Sequence, residues 1–275
     1  MSGGARIRDP AGMARTMSRQ PHRQPRGATH RVLPKLMSAS PEMIAHHFVA
    51  ARISGCHITN ASALPAVPTL DDAYQIQKAM LQMPTTALGA HCGWKAGATN
   101  AGAQKTLGLE KPFRGPLFES GFVSSPASLS KNALNLNLLE PEFGFRMKAD
   151  LPDPCTPEQA WAAVEEVTLV IEACGTRCRV PGATSFQRVA DGGIGSHVVL
   201  GPTMNAAAAQ SASLSGVEVE VSVNGNVAVT GSGYNVFEDP INSLCFLATE
   251  IGTYGHKIKK GDFVITGATC ELQSL

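Results

Sequence analysis

Hydrophobic residues recur every three or four positions in the front part of the chain, which predicts two amphipathic helices. The first helix begins at Pro41, after the N-cap candidate Ser40, and ends near Gly55. The second begins after Thr69, and Asp72 three residues later completes a capping-box pattern. Helices therefore dominate the first part of the folded chain.

The later part of the chain alternates apolar and polar residues with the period of two that is typical of strands. The clearest case is 217–223, followed by Asn224-Gly225 and 226–230, which predicts a hairpin with a two-residue turn. Further strands are predicted within 134–147, 169–174 and 261–267.

Less regular segments complete the predicted order of elements. Helices are predicted over 103–108, 156–167 and 241–251. Residues 112–118 contain two prolines and a glycine and are predicted to form an irregular loop. Helices at the front and strands at the back predict an α+β fold with a mixed, mostly antiparallel sheet.

Charge separates a leader from the main domain. Residues 1–40 hold eight of the 23 basic residues and one of the 22 acidic residues, which resembles an organelle transit peptide. A disordered tail and a start codon placed too early, with Met37 as the natural start, are the alternatives. We expect a leader at 1–38 and a single domain at 39–275, in the cytoplasm, or in mitochondria if 1–36 is a targeting segment.

Several protein classes are excluded by composition. The seven cysteines are odd in number and scattered, which predicts reduced thiols in an intracellular compartment. Cys174 and Cys178 are four residues apart without a second pair, so no zinc site is predicted there. No apolar stretch is long enough to cross a membrane. The basic leader lacks aromatic residues that would stack on bases, which argues against nucleic-acid binding.

The segment Glu140-Pro141-Glu142 carries the most informative chemistry. Two carboxylates one residue apart on a strand point to the same face and repel each other unless a cation lies between them. Hard divalent cations prefer such oxygen ligands. The alternative is an ordinary solvated strand face, where this pattern is common.

Eight segments in one order resemble the 2-keto-4-pentenoate hydratase family, within the fumarylacetoacetate hydrolase superfamily. They are Gly93-Trp94-Lys95, 112–117, 139–143, 171–177, 190–201, the hairpin, 239–248 and 261–267. The resemblance covers roughly residues 40–275.

The resemblance implies a Mg²⁺- or Mn²⁺-dependent enzyme of aromatic catabolism that acts on small 2-oxo acids or their enols. It implies a β-roll over 91–275 preceded by a helical part at 39–90, and a homo-oligomer. Glu140 and Glu142 match the family's first two metal ligands, and Lys95 matches its active-site lysine. The alternative for Lys95 is a surface lysine beside a buried Trp94.

The chain departs from the family pattern at three places. Where the family carries Glu-x-x-Asp-x-Arg, Gly175 stands in place of the Asp that supplies the third metal ligand. Where the family has Ala-Asp-Asn-x-Ser, Gly192 and Ile194 replace the amide and the hydroxyl. The sequence also stops at Leu275, where the family continues through a further strand.

These features predict a hydratase of a 2-hydroxy-dienoate such as 2-hydroxypenta-2,4-dienoate. Decarboxylation of an oxo-diacid, hydrolysis of an acylpyruvate, and a catalytically impaired relative acting as a binding or oligomerisation partner stay open. Glu172 is a candidate for the base or for orienting water, or a strand-end carboxylate. Asp191 is a further candidate carboxylate. Arg177 is a candidate for binding the substrate carboxylate, or a member of a structural ion pair.

Overall fold

The computed structural model describes residues 39–83, 87–132, 135–270 and 273–274. All of them belong to one compact unit. The predicted leader and the predicted start of a strand at Leu134 lie outside the described residues.

Local capping signals place the starts of the first two helices where the sequence predicts them. The described helices are α1 (Pro41–Ser54), α2 (Leu70–Gln82), α3 (Ala101–Leu107), α4 (Pro157–Ala163), α5 (Ser185–Ala190), α6 (Ala206–Ala212) and α7 (Asn242–Gly252). The Ser40 hydroxyl accepts the backbone N–H of Met43, and Gly55 ends α1 in the left-handed conformation. The Thr69 hydroxyl caps α2 by accepting the N–H of Asp72.

The strands outnumber the α-helices among the described residues. They are β1 (His91–Gly97), β2 (Phe113–Phe118), β3 (Phe122–Ser124), β4 (Leu138–Met147), β5 (Val164–Cys174), β6 (Gly195–Asn205), β7 (Glu218–Val223), β8 (Asn226–Ser232), β9 (Phe263–Ile265) and β10 (Gln273–Ser274). Strands β7 and β8 form the predicted hairpin.

The main sheet is mixed, with the order β2-β1-β9-β4-β5-β6-β3 and β10 paired to β4. Pairs β1–β9 and β3–β6 are parallel, and the remaining pairs are antiparallel. The predicted α+β architecture with a mostly antiparallel sheet is therefore confirmed.

Two predictions from the sequence were wrong. Residues 113–118 form strand β2 instead of a loop, and Pro116 is tolerated because β2 lies at the sheet edge. The helix predicted to run to Val167 ends at Ala163, and β5 begins at Val164. The β-branched residues that follow favour an extended strand, and pairing with β4 decides the outcome.

Close packing of β9 between β1 and β4 brings the strands of the site together. A Cβ atom at Gly93 would lie 1.8 Å from the carbonyl oxygen of Phe263, so only glycine permits this approach. Trp94 then points into the core formed by β1, β4, α4 and α7, and its neighbour Lys95 points the opposite way. No helix in the described part of the chain has the length and apolar character to span a membrane.

Candidate metal centre and substrate pocket

The antiparallel pair β4–β5 brings three carboxylates onto one face of the sheet. Glu140 and Glu142 are two residues apart on β4, and Glu140 lies directly opposite Glu172 on β5. Glu142 and Glu172 are buried, with exposed fractions of 2% and 0%, whereas Glu140 is partly exposed. The Cys174 side chain shares this face because it follows Glu172 by two residues.

Lys95 on β1, which β9 separates from β4, supplies the cation of the cluster. Its ammonium donates to Glu172 Oε2 at 2.5 Å and to the Gly193 carbonyl at 3.1 Å. Gly115 lies opposite Lys95 on β2, and a Cβ there would approach the lysine Cγ to 3.0 Å. The small residue therefore leaves room for the buried lysine chain.

The electrostatics of the cluster disfavour the ionised forms of Glu140 and Glu142. Burial raises the pKa of Glu142 well above its usual value, and the Glu172 and Glu140 carboxylates raise it further. Burial also raises the pKa of Glu140. Burial alone would lower the pKa of Lys95, but attraction to the surrounding carboxylates, Glu172 first, outweighs it and raises that pKa. Lys95 is therefore a stable ammonium.

Two carboxylate oxygens lack hydrogen-bond partners among the described residues, namely Oε1 of Glu142 and Oε1 of Glu172. The second oxygen of Glu142 accepts the Gly267 N–H at 2.8 Å. Buried charged oxygens without donors are costly. Protons or a bound cation relieve that cost, so the donor set fits a divalent metal ion held by Glu140, Glu142 and Glu172.

A cluster of two arginines and one aspartate lies beside the carboxylates. Arg177 donates from Nε to Asp191 at 2.9 Å and from its backbone N–H at 3.0 Å. Arg52, from α1, lies 3.5 Å from the Asp191 carboxylate. Both guanidinium groups also donate to the Gly195 carbonyl, at 3.0 and 3.1 Å. Arg52 Nε has no hydrogen-bond partner among the described residues.

Gly195 joins the arginines to the carboxylates. Its carbonyl oxygen accepts a hydrogen bond from each arginine. A Cβ atom at this position would lie 2.5 Å from Glu172 Oε1, so the approach of Glu172 requires glycine. The turn before it is unusual, because Gly192, Gly193 and Ile194 are all left-handed, with φ of 67°, 68° and 58°. A β-branched residue is strained there. This backbone presents the Gly193 carbonyl to Lys95.

A pocket of about 250 Å³ opens next to this cluster. Its walls include Arg52, Arg177, Glu172, Ser196 and His197. Apolar side chains such as Leu117 and Phe122 complete the lining. The pocket therefore combines two cations with an apolar wall and ends at a carboxylate of the candidate metal centre.

The structure brings the predicted site residues into two adjoining groups. Glu140, Glu142, Glu172 and Lys95 form the carboxylate cluster, and Arg177 and Asp191 form an ion pair beside it. Sequence reasoning missed Arg52, whose guanidinium reaches a partner 143 residues away along the chain. No local motif marks it, since it stands in the last turn of an amphipathic helix.

Gly175 does not lie where a metal ligand would be accommodated. A Cβ at this position would lie 1.9 Å from the Asn135 carbonyl oxygen and 3.0 Å from Leu136 Cα. The third carboxylate of the cluster is instead Glu172, three residues earlier and directly opposite Glu140. The chain therefore supplies three carboxylates as possible metal ligands without an aspartate at position 175.

Comparisons with known proteins give the same fold and related sequences. No protein-family model matches the chain. The solved structure of 4-oxalocrotonate decarboxylase from Pseudomonas putida G7, complexed with magnesium and adipate, superposes with a TM-score of 0.77 at 23% identity, covering 86% of this chain and 89% of that one.

Two curated relatives are similar in sequence. The chain is 28% identical over 200 residues to 2-keto-4-pentenoate hydratase of Paraburkholderia xenovorans (strain LB400), covering 72% of this chain and 74% of the relative. It is 29% identical over 207 residues to 2-hydroxyhexa-2,4-dienoate hydratase of Comamonas testosteroni, covering 74% and 78%.

The chain therefore has the same α+β fold as the solved 4-oxalocrotonate decarboxylase. Its resemblance to the 2-keto-4-pentenoate hydratase family, predicted from the motifs, is confirmed by its relatives. Those relatives are enzymes, and they include a 4-oxalocrotonate decarboxylase of Pseudomonas sp. (strain CF600) at 28% identity over 200 residues.

We predict that Gly175→Asp lowers stability and does not improve metal binding. The new side chain collides with the backbone at Asn135, and such overpacking costs about 1–3 kcal/mol. Urea unfolding and Mn²⁺ titration measure both effects. Gly216→Asp is the control, because a Cβ there meets nothing within 4 Å. Tighter Mn²⁺ binding with unchanged stability in Gly175→Asp would show that the third ligand belongs at 175.

Proposed function

We propose that the protein is a divalent-metal-dependent hydratase of a small 2-hydroxy-dienoate or 2-oxo acid, such as 2-hydroxypenta-2,4-dienoate. The observation that carries this proposal is the convergence of Glu140, Glu142 and Glu172 with Lys95, beside a pocket that contains Arg52. Each group has a use in chemistry that develops an enolate from a 2-oxo acid.

The metal would be held by Glu140, Glu142 and Glu172. The unpartnered oxygens of Glu142 and Glu172 favour a cation, as do the raised pKa values of Glu140 and Glu142. When bound, a divalent ion supplies Lewis-acid stabilisation of negative charge on the oxygens of a 2-oxo acid. Mg²⁺ or Mn²⁺ is consistent with this oxygen-rich set. The magnesium in the structurally similar decarboxylase supports the same choice.

Lys95 acts as a hydrogen-bond donor and a positive charge, because its raised pKa keeps it protonated. It stabilises negative charge that develops on a substrate oxygen. Glu172 accepts from Lys95 with Oε2, while Oε1 has no hydrogen-bond partner among the described residues and the residue lines the pocket. Glu172 therefore links Lys95 to the candidate metal centre, with Oε1 as the oxygen free to ligate the ion.

The arginine pair binds the substrate carboxylate. Arg52 and Arg177 together carry two positive charges against the single charge of Asp191, so this group of three side chains retains one positive charge. Burial lowers the pKa of Arg52 to about 9, with repulsion from Arg177 as the next cause, and the side chain remains charged at neutral pH. Asp191 is thus a positioning residue that orients both arginines.

Decarboxylation of an oxo-diacid is the second candidate. Two arginines in one pocket suit a substrate with two carboxylates, and a 4-oxalocrotonate decarboxylase is among the relatives. Both reactions would develop an enolate, and Lys95 is placed to stabilise its negative charge. Product analysis with a 2-hydroxy-dienoate and an oxo-diacid distinguishes the two activities. A homo-oligomer stays a prediction for either.

Glu142→Gln tests the metal centre. The amide keeps the shape of the side chain but removes one negative charge, so we expect Mn²⁺ affinity to fall at least tenfold and turnover of 2-hydroxypenta-2,4-dienoate to fall about 100-fold. Calorimetric titration and substrate absorbance measure the two quantities. Glu165→Gln, on the exposed face of β5, is the matched control. Unchanged turnover in Glu142→Gln would refute the proposed function.

Lys95→Met separates catalysis from metal binding. Removing the ammonium eliminates a donor to the developing charge, so we expect kcat to fall about 100-fold or more. Mn²⁺ affinity should stay the same or increase, because the cation competing for Glu172 is gone. Lys105→Met, in the short helix α3, is the control. If Lys95→Met loses Mn²⁺ binding altogether, the lysine organises the site and does not act on substrate.

Arg52→Gln tests the carboxylate pocket. Loss of a charge-assisted hydrogen bond costs about 1.5–3 kcal/mol, so we expect KM to increase at least tenfold, with a smaller change in kcat. Arg52→Lys should recover part of the affinity because it keeps the charge. The exposed Arg179→Gln is the control. An unchanged KM in Arg52→Gln would place the substrate carboxylate elsewhere.

A further inference from the structure

Five buried nitrogen atoms without hydrogen-bond partners among the described residues gather around the Trp94 ring. They are Nε1 of Trp94, Nε and Nη2 of Arg114, and Nε2 of His91 and of His256. The His91 and His256 ring centroids lie 4.6 and 5.3 Å from that of Trp94, and the Arg114 guanidinium carbon lies 5.3 Å from it. Arg114 is paired with Ala96 on β1, so it shares the Trp94 side of the sheet. The cluster is therefore on the side opposite Lys95 and the candidate metal centre.

Arg114 is a buried cation without a carboxylate partner. Its exposed fraction is 0%, and none of the ion pairs among the described residues includes it. Glu250 attracts it from a distance, but that carboxylate contacts Lys111 at 3.1 Å. The Tyr74 and Tyr254 rings, whose centroids lie 4.2 and 4.8 Å from the guanidinium carbon, attract the charge without accepting from Nε or Nη2. Charged donors buried without acceptors are costly, so this group requires a further partner.

The unpartnered donors of Arg114 have the geometry that a carboxylate requires. Nη1 donates to Gln77 Oε1 at 2.8 Å. The remaining donors, Nε–H and Nη2–H, point in parallel from one edge of the planar guanidinium. Such an edge binds both oxygens of a carboxylate at once. Trp94 Nε1 is a donor only, and His256 Nε2 donates in one of its two tautomers.

Positive charge surrounds the cluster. Burial lowers the pKa of His256, and repulsion from Arg114, Lys78 and Lys259 lowers it further. Burial lowers the pKa of His91 to about 4, and Lys259 and Arg114 contribute to the same shift. Cations therefore dominate the potential at both rings, and this potential attracts an anion.

We propose that Arg114, Trp94 and His256 bind a small carboxylate anion at a second site, on the face of the sheet opposite the candidate metal centre. Arg114 donates to both oxygens of the anion, and Trp94 and His256 donate to the remaining lone pairs. The site admits only a small ligand, because Arg114 and Trp94 are 0% and 1% exposed. The partly exposed His256 and Tyr254 mark the side from which the anion enters. This inference does not depend on the proposed function.

Formate, the smallest carboxylate, is the probe for this site. Sodium formate is titrated into the full-length protein, and sodium gluconate keeps the ionic strength constant. Gluconate carries the same charged group on an ion too large for a buried site. Because a ligand of the folded state stabilises it, we expect Tm to rise saturably, by about 2–4 °C at a formate concentration about ten times Kd. Equal Tm values in formate and gluconate would overturn the proposal and leave water as the partner of the five nitrogen atoms.

Trp94 reports occupancy of the site directly. The chain has two tryptophans, so Trp161→Phe leaves Trp94 as the single fluorophore. A hydrogen bond from Nε1 to an anion changes the surroundings of the indole. We therefore expect its emission to shift with formate and to saturate at the concentration that stabilises the fold. Emission that does not respond to formate contradicts the proposal.

Variants assign the effect to Arg114. Arg114→Lys keeps the charge but loses the two parallel donors, so formate affinity should fall about tenfold or more. His256→Ala, at the partly exposed edge, removes one donor and should weaken binding about threefold or more, which keeps the test decisive if the Arg114 variant does not fold. Arg146→Lys is the matched control, because this guanidinium also lies over an aromatic ring, that of Phe263 at 4.8 Å, and formate affinity should stay unchanged. Full formate affinity in Arg114→Lys, or in His256→Ala where the Arg114 variant does not fold, places the anion elsewhere and overturns the inference.

Discussion

Mutual repulsion among Glu140, Glu142 and Glu172 is the constraint on which the arrangement of the site depends. Two unit charges 4 Å apart interact by about 4 kcal/mol at an effective dielectric constant of 20. Lys95 offsets part of this repulsion through its short contact with Glu172, and the remainder requires protons or a cation. The fold tolerates the repulsion because β4 and β5 pair over ten and eleven residues, respectively, so neither strand can move away.

The surrounding backbone is shaped to hold this charge. Gly115 leaves room for the Lys95 side chain, and Gly195 leaves room for Glu172. The Gly195 carbonyl also accepts hydrogen bonds from Arg52 and Arg177. Ile194 is strained between these positions, with φ of 58°. Residues held in sparsely populated conformations cost about 1–3 kcal/mol each and persist where the surrounding structure fixes them. The turn at 192–195 contacts both the candidate metal centre and the arginine pair, so a change in its conformation would alter both.

Local signals in the sequence were sufficient for some features and insufficient for others. The caps at Ser40 and Thr69 predicted helix starts, because a cap involves only residues three positions apart. The shared face of Glu140 and Glu142 followed from strand alternation. The pairing of Glu140 with Glu172 did not, because strand register is set by tertiary packing. Arg52 was missed because its contact with Gly195 also depends on tertiary packing. Residues 113–118, predicted as part of a loop, form a strand because they pair with β1.

The buried charged side chains of the site bear on whether the chain is an enzyme or a catalytically impaired relative. The absence of an acidic residue at Gly175 favours impairment only if that position supplied a ligand, and the collision with Asn135 shows that this backbone has no room for one. Replacing buried charges by neutral residues of similar volume is often neutral or stabilising by about 1–4 kcal/mol. Buried charges such as Glu142, Glu172 and Lys95 therefore add little stability by themselves. Together with the unpartnered oxygens, they are the physical argument in favour of the proposed cation site over an impaired relative.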